Sequence, residues 1–68
     1  GIKTTVLNAA NEEAVHLFLE GKIPFLDIEK ACALALRNFP NIIRPTLRDL
    51  LSTDSLARLY VRRMFGQR

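Results

Sequence analysis

Glu13 and His16 are the residues whose types and spacing come closest to a metal site, because they stand three positions apart. On a helix that spacing places a carboxylate and an imidazole on one face, as in carboxylate-bridged metal sites within helical bundles. Such sites need a second motif and further inward carboxylates. Here the polar residues of this segment are all expected opposite its apolar stripe: Glu12, Glu13, His16 and Glu20. We therefore predict a solvated polar face and no metal ligand.

Cys32 is the single cysteine, which excludes an internal disulfide and fits a reducing compartment. It falls on an apolar stripe with no His or second Cys near it, so we predict a small buried packing residue and no nucleophile. Neither a Ser-His-Asp set nor a glycine-rich phosphate loop can be built, because the glycines are isolated. We assign no catalytic, cofactor-binding or metal-binding residue and expect no enzymatic activity from these 68 residues alone.

Arginines near the end of the chain are the other functional-looking feature: Arg58, Arg62, Arg63 and Arg68. On the outer face of a helix they could follow a phosphate backbone. Cations in the last turns of a helix also complement its dipole and support solubility, which is the interpretation we favour. The alternative hypothesis is a small basic helical module that binds nucleic acid or an acidic protein. Salt-sensitive binding to duplex DNA that Arg62→Glu and Arg63→Glu abolish would support it.

Length and composition predict one small soluble domain spanning residues 1–68. The chain has 49% hydrophobic residues and a net charge of +3, with a pI near 9.6. That composition argues against a disordered tail, and no apolar run is long enough to cross a bilayer. A domain of this size is expected to be only marginally stable unless it packs against something else.

The first two helices are predicted from apolar residues that recur every three or four positions. For the first helix we predict an N-cap at Asn8 after an unpatterned lead-in, with an earlier start at Thr4 or Thr5 as the alternative, and an end at Gly21. For the second we predict an N-cap at Asp27 and an end before Pro40. The inward residues of the first are Leu7, Ala10, Ala14, Leu17 and Phe18, and those of the second are Ile28, Cys32, Ala35, Leu36 and Phe39.

The last third of the chain is predicted to form a loop, a short helical turn and a third main helix. Ile42 and Ile43 are expected to tuck under the loop as an apolar plug. Thr46 and Asp49 have the spacing of a capping box for the short turn, and Ser52 is predicted to cap the final helix, which Gly66 closes. Its expected inward residues are Leu56, Leu59, Tyr60 and Met64, with Phe65 left open. The fold class is therefore all-α, a small bundle of three main helices plus a short helical turn.

One long string of residues is also specific enough to indicate a family. From Leu7 to Ile28 the chain reads L-N-A-A-N-E-x-A-V-x-x-F-L-x-x-x-I-x-F-x-D-I, and from Ser52 to Arg58 it reads S-x-D-x-x-A-R. This pattern resembles the C-terminal helical domain of 1-deoxy-D-xylulose 5-phosphate reductoisomerases. The resemblance covers essentially the whole chain and is weakest between Glu29 and Leu47.

The resemblance implies a parent enzyme of three parts, of which this chain is the structural C-terminal domain. The parent would be an NADPH-dependent homodimer that uses a divalent metal, Mg or Mn, in the bacterial cytoplasm or a plastid-type organelle. It would convert 1-deoxy-D-xylulose 5-phosphate to 2-C-methyl-D-erythritol 4-phosphate in non-mevalonate isoprenoid synthesis. The family's catalytic residues belong to its central domain, and no position here matches them.

Two further expectations follow from the resemblance. A packing role is carried over to six residues: Leu7, Asn8, Asn11, Phe18, Phe25 and Asp27. The family's four-helix bundle begins with a helix upstream of the matched region, so the chain is expected to lack that first helix and to present an unfilled apolar groove. Such a groove invites self-association, and we expect the isolated chain to form an oligomer, with the missing N-terminal and central domains as its natural partners.

Overall fold

The computed structural model describes residues 1–66 and contains three helices, α1 (Lys3–Leu19), α2 (Leu26–Asn38) and α3 (Leu47–Phe65). The predicted all-α class is confirmed, and the described part of the chain contains no strand. None of the helices in residues 1–66 is both long and apolar enough to cross a membrane. Gln67 and Arg68 lie outside the described residues.

Helix α1 begins at Lys3, so the predicted N-cap at Asn8 is wrong and the alternative of an earlier start is closer. The reason is Ile2, which is fully buried. Its amide donates to the carbonyl of Ile42 at 3.1 Å, and its own carbonyl accepts from the Val6 amide at 3.1 Å. Burial of Ile2 thus fixes the first turn without a side-chain cap, and residues 1–5 are no unpatterned lead-in.

Gly21 ends α1 as predicted, directly after the C-cap Glu20. Its φ of 76° lies in the left-handed region, which glycine adopts without steric cost. The Lys22 amide donates to the Leu17 carbonyl at 2.9 Å and the Gly21 amide donates to the Phe18 carbonyl at 3.0 Å. These two bonds form a Schellman motif that satisfies the last carbonyls of the helix.

Helix α2 begins at Leu26 after Phe25, two residues earlier than predicted. Asp27 therefore lies in the first turn, where its charge suits the positive helix end, and is not the N-cap. The turn forms because the Pro24 carbonyl already accepts from the Asp27 amide at 3.0 Å. The helix ends at Asn38, and Phe39 is extended (φ −102°, ψ 134°), as the residue before a proline must be.

Helix α3 begins at the predicted capping box. Thr46 Oγ1 accepts from the Asp49 amide at 3.0 Å, and Asp49 Oδ2 accepts from the Thr46 amide at 2.9 Å. The helix then continues without a break to Phe65, so the predicted cap at Ser52 and the separate short turn are wrong. Serine costs little inside a helix once the flanking turns are formed, which explains why Ser52 does not interrupt it.

The interior is built mainly from small side chains. Its largest fully buried members are Ile2, Val6, Leu17 and Val61, and the remaining hydrophobic core residues are Ala9, Ala10, Ala14, Ile23, Ala31, Ala35, Ala57 and Phe65. The predicted inward positions Ala10, Ala14, Leu17 and Ala35 are confirmed, and Ile28, Cys32, Leu36, Phe39 and Tyr60 are half-buried against the core. Alanine at the contacts lets helix axes approach closely.

Several predicted inward residues are exposed: Leu7 and Phe18 on α1, Ile43 in the loop, and Leu56, Leu59 and Met64 on α3. On α3 the helix buries Ala57, Val61 and Phe65, the stripe next to the predicted one. The small side chains of the buried stripe allow α3 to pack closely on α1, and the larger side chains of the neighbouring stripe remain exposed to solvent. The predicted Ile42–Ile43 plug is likewise wrong for Ile43, which is exposed.

Helix α1 is the central element of the bundle. It packs against both α2 and α3, whereas α2 and α3 touch each other only sparsely. Helix α2 returns antiparallel to α1, because Lys3 Nζ donates to the Leu36 carbonyl at 3.3 Å and the Phe18 ring meets the Phe25 ring. Helix α3 runs parallel to α1 and leaves an open cleft against α2.

Candidate functional site

Three of the four polar residues of α1 that were predicted on a solvated face, Glu12, Glu13 and Glu20, form one side of an ion-pair seam with α3. Glu12, Glu20 and His16 are exposed as predicted. Arg58 of α3 forms the first half of this seam. Its Nη2 donates to Glu12 Oε1 at 2.8 Å, and its Nε donates to Asp54 Oδ2, one turn earlier on α3, at 3.0 Å. These two acceptors raise the pKa of the guanidinium, so Arg58 is a permanent cation held between two carboxylates.

Arg62 forms the second half of the seam, one turn further along. Its Nε donates to Glu13 Oε2 at 2.5 Å and its Nη1 lies 3.5 Å from Glu20 Oε1. Glu13 is only 9% exposed, so its predicted solvated position is wrong. Hydrogen bonding to Glu13 and Glu20 raises the pKa of Arg62, and the bond from Arg62 lowers the pKa of Glu20, with Lys22 adding to the effect. The seam fixes α3 along α1.

The arginines are therefore arranged differently from the outer basic face that the alternative hypothesis of a nucleic-acid-binding module requires. Arg58 and Arg62 are turned toward α1 and neutralised by carboxylates. Arg63 is exposed and forms no ion pair within residues 1–66. The predicted contribution of Arg68 lies outside the described residues. Two of the cations needed for a phosphate-binding stripe are thus paired with carboxylates of α1.

His16 is exposed on α1 and forms no ion pair within residues 1–66. Within residues 1–66 no group of three or more His, Cys, Asp and Glu side chains could hold a metal ion. The carboxylates of the seam already accept from guanidinium groups, which makes them poor donors to a hard cation. A divalent metal therefore does not fit the described residues as its ligands.

Cys32 is half-buried on α2, and its thiol lies 3.9 Å from Asn11 Oδ1 on α1. Burial raises the pKa of this thiol, and the nearby Glu29 carboxylate raises it further. A thiol whose pKa is raised is a weak nucleophile at neutral pH. The contacts agree with the predicted packing interpretation of Cys32.

An apolar groove opens between α1 and the start of α2. This α1–α2 groove has a volume of about 320 Å³ and is lined by Asn11, Phe25, Leu26, Ile28, Glu29 and Cys32. Phe18 contacts Phe25 edge to face beside it, with ring centroids 5.6 Å apart. Five of the six residues to which a packing role was carried over are exposed, namely Leu7, Asn8, Asn11, Phe18 and Phe25, and Asp27 is half-buried, so their packing role stays a prediction. They form part of a surface.

A second groove runs along α3 beside Phe39, the residue that follows α2. This α2–α3 groove has a volume of about 330 Å³ and is lined by Phe39, Leu56, Leu59, Tyr60, Arg63 and Met64. Tyr60 is held in place by two contacts within the lining. Its ring meets the Phe39 ring edge to face, with centroids 5.7 Å apart, and its hydroxyl accepts from Asn38 Nδ2 at 3.1 Å. The groove is a shallow apolar trough with one cationic edge, a shape suited to an apolar helix face.

The described residues therefore present two apolar grooves and an ion-pair seam between α1 and α3. The sequence contained one local signal for the seam, the i, i+4 spacing of Asp54 and Arg58. The pairs between helices carried no such signal, because Glu13 and Arg62 stand 49 residues apart.

Comparisons with known proteins agree on one family. The sequence model described as "DXP reductoisomerase C-terminal domain" matches residues 1–60. The 1-deoxy-D-xylulose 5-phosphate reductoisomerase of Geobacillus kaustophilus is 50% identical over 66 residues, which is 97% of this chain and 17% of that protein. The enzymes of the same name from Bacillus subtilis and Rippkaea orientalis are 49% and 52% identical, over 90% and 85% of this chain and 16% and 15% of theirs. No solved structure matches the chain.

Proposed function

Because the chain belongs to the family of DXP reductoisomerase C-terminal domains, we propose that it is the structural C-terminal part of a 1-deoxy-D-xylulose 5-phosphate reductoisomerase. The chain spans only about 17% of the length of the first relative, so the activity belongs to the proposed whole protein. The observation that carries the structural role is the exposed apolar surface, because a domain of this size gains stability by burying such surface against its own enzyme.

The proposed parent converts 1-deoxy-D-xylulose 5-phosphate to 2-C-methyl-D-erythritol 4-phosphate in non-mevalonate isoprenoid synthesis, as a homodimer. NADPH and a divalent metal, Mg or Mn, would be held by the N-terminal and central domains, since the four carboxylates of the seam are engaged with arginines. No residue of this chain contacts substrate in this proposal, and the 68 residues alone are inactive. Its compartment would be the bacterial cytoplasm or a plastid-type organelle.

The role of this chain in the whole enzyme is to present its α1–α2 groove to the remaining domains. The seam keeps α3 fixed on α1, so that the bundle beside this groove is held in shape. The α1–α2 groove exposes Phe25 and Leu26. Buried against other domains, such side chains each contribute to the stability of the enzyme.

A chimera tests the proposal. The matched C-terminal part of the Geobacillus kaustophilus enzyme is replaced by these 68 residues, and NADPH oxidation with the sugar phosphate is compared with the parent enzyme and with a variant that ends before the matched part. We expect the chimera to keep kcat and thermal stability near those of the parent and the shortened variant to lose stability. A chimera that is folded but inactive would overturn the proposal.

Two substitutions in the chimera separate structural support from participation in catalysis. His16→Ala removes an imidazole that could transfer a proton, and Cys32→Ala removes a thiol that could act as a nucleophile. We expect both variants to keep kcat and KM. A fall in kcat with unchanged thermal stability would contradict the proposal that no residue of the chain takes part in the reaction.

A further inference from the structure

We propose that the 68-residue chain forms a two-fold symmetric dimer in which the α2–α3 groove of each copy is covered by α3 of the other, with the two α3 helices antiparallel. This surface is independent of the enzymatic proposal, because it is argued only from contacts, exposure and charge within residues 1–66.

The first observation is the exposure of large apolar side chains along one face of α3. Leu56, Leu59 and Met64 are 54%, 45% and 54% exposed although all three line the groove. Side chains of this size, next to each other on a trough that is otherwise apolar, form a contiguous patch and not scattered surface residues. A helix laid along the trough would remove them from water.

The second observation is the placement of charge on that face. Asp49, Leu56 and Arg63 are each seven residues apart, which is about two helical turns, so they lie along one stripe of α3. Asp49 uses Oδ2 to cap the Thr46 amide, which leaves Oδ1 available to a partner. Arg63 forms no ion pair within residues 1–66. The stripe therefore has an acidic end, an apolar centre and a basic end.

This order of charges specifies a second copy in the antiparallel orientation. A two-fold axis through Leu56 places Leu56 against Leu56 of the second copy and Arg63 against Asp49 of the second copy, twice by symmetry. The two Arg63 side chains are then about 21 Å apart along the axis, well beyond the screening length of about 8 Å. A parallel pair in register would instead place Arg63 beside Arg63 of the second copy.

The α1–α2 groove does not offer the same complementarity. Its one charged lining residue is Glu29, and no basic residue lines it. A symmetric pair through that groove would therefore bring two carboxylates together without a cation. The balance of charge favours the α2–α3 groove as the surface of self-association.

The experiment is sedimentation equilibrium of the full 68-residue chain over a concentration series. We expect a monomer–dimer equilibrium, and we expect Leu56→Glu to raise the dimer Kd by more than about tenfold because it places two like charges on the axis. Leu51→Glu is the matched control, since Leu51 is 64% exposed on the same helix but outside the stripe. Leu26→Glu is the control for the α1–α2 groove. Circular dichroism establishes that each variant is folded.

A cysteine crosslink tests the orientation separately. In a Cys32→Ala background, Leu56→Cys is expected to form a disulfide dimer under mild oxidation, because a residue on the two-fold axis meets its own copy. Leu51→Cys is expected not to. The proposal is overturned by a chain that stays monomeric at millimolar concentration. It is equally overturned if folded Leu56→Glu still dimerises, if Leu26→Glu dissociates the dimer, or if Leu51→Cys is the position that crosslinks.

Discussion

The Arg62 guanidinium of α3 donates to the Glu13 carboxylate of α1 at 2.5 Å, and Glu13 is the one charged residue of the described chain that is buried. This contact joins two helices that no short loop connects. A carboxylate removed from water is costly unless a cation and hydrogen bonds compensate it. Glu13 and Arg62 therefore act as a unit, and their positions determine how α3 lies along α1.

Coupling between Glu13 and Arg62 can be measured by a double-mutant cycle. Glu13→Gln is expected to lower the free energy of unfolding more than Glu12→Gln, because Glu12 is exposed. In the cycle, Glu13→Gln and Arg62→Gln should be strongly non-additive in urea unfolding, whereas Glu13→Gln and Arg58→Gln should be nearly additive. Equal coupling of Glu13 to both arginines would contradict the paired geometry.

Lowering the pH should weaken the ion-pair seam, because Glu20 becomes protonated and loses its charge. Its pKa is lowered in the folded chain chiefly by the hydrogen bond from Arg62, so the unfolded chain takes up this proton first as the pH falls. Its contribution is complete above the ordinary glutamate pKa and disappears as the pH falls through the lowered value. We expect the free energy of unfolding to fall less steeply between about pH 5 and pH 3 in Glu20→Gln than in the original chain.

The control for this pH series is Glu29→Gln. Glu29 is exposed on α2 and forms no ion pair within residues 1–66, so its variant should keep the acid dependence of the original chain. Urea unfolding at pH 7, 5, 4 and 3 measures how the free energy of unfolding depends on pH in the original chain and in each variant. Parallel curves for the original chain and Glu20→Gln would show that the Arg62–Glu20 contact does not contribute.

Local chemistry was predictable from the sequence, and contacts between helices were not. The Thr46–Asp49 capping box and the end of α1 at Gly21 depend on residues within one turn, so their residue types and spacing indicated them directly. The start of α1 depends on Ile2, which is buried and whose amide donates to the loop carbonyl of Ile42, forty residues away. No local pattern contains that information.

The face of α3 was mispredicted because the chain has more large apolar side chains than its interior can hold. Leu56, Leu59 and Met64 form a regular stripe, but the helix buries the smaller stripe that contains Ala57 and Val61. Close packing on the alanines of α1 favours small partners, and periodicity alone cannot rank two adjacent apolar stripes. The same excess of apolar residues explains the two open grooves of the candidate site.

A matched pair of substitutions tests whether α3 is one continuous helix. Thr46→Ala removes the Oγ1 acceptor of the Asp49 amide in the capping box and should lower the free energy of unfolding by about 1 kcal/mol. Ser52→Ala lies inside the helix and should be neutral or slightly stabilising, since alanine is the better helix former. The measurement is urea unfolding followed by circular dichroism. A larger loss for Ser52→Ala than for Thr46→Ala would show that a second helix begins at Ser52.

Leu17 and Leu19 provide the sharpest test of the packing, because they are neighbours on α1 with opposite burial. Leu17 is fully buried beside the end of α3, where its Cδ2 approaches Gly66, and Leu19 is 73% exposed. Leu17→Ala should lower the free energy of unfolding by about 2–5 kcal/mol through lost burial and the cavity it leaves, and Leu19→Ala should change it by less than about 0.5 kcal/mol. Since a small domain has only about 5 kcal/mol of stability, Leu17→Ala should bring the chain close to its unfolding midpoint at room temperature. Thermal unfolding of both variants measures the difference, and equal losses at the two positions would mean that α1 does not present the face described.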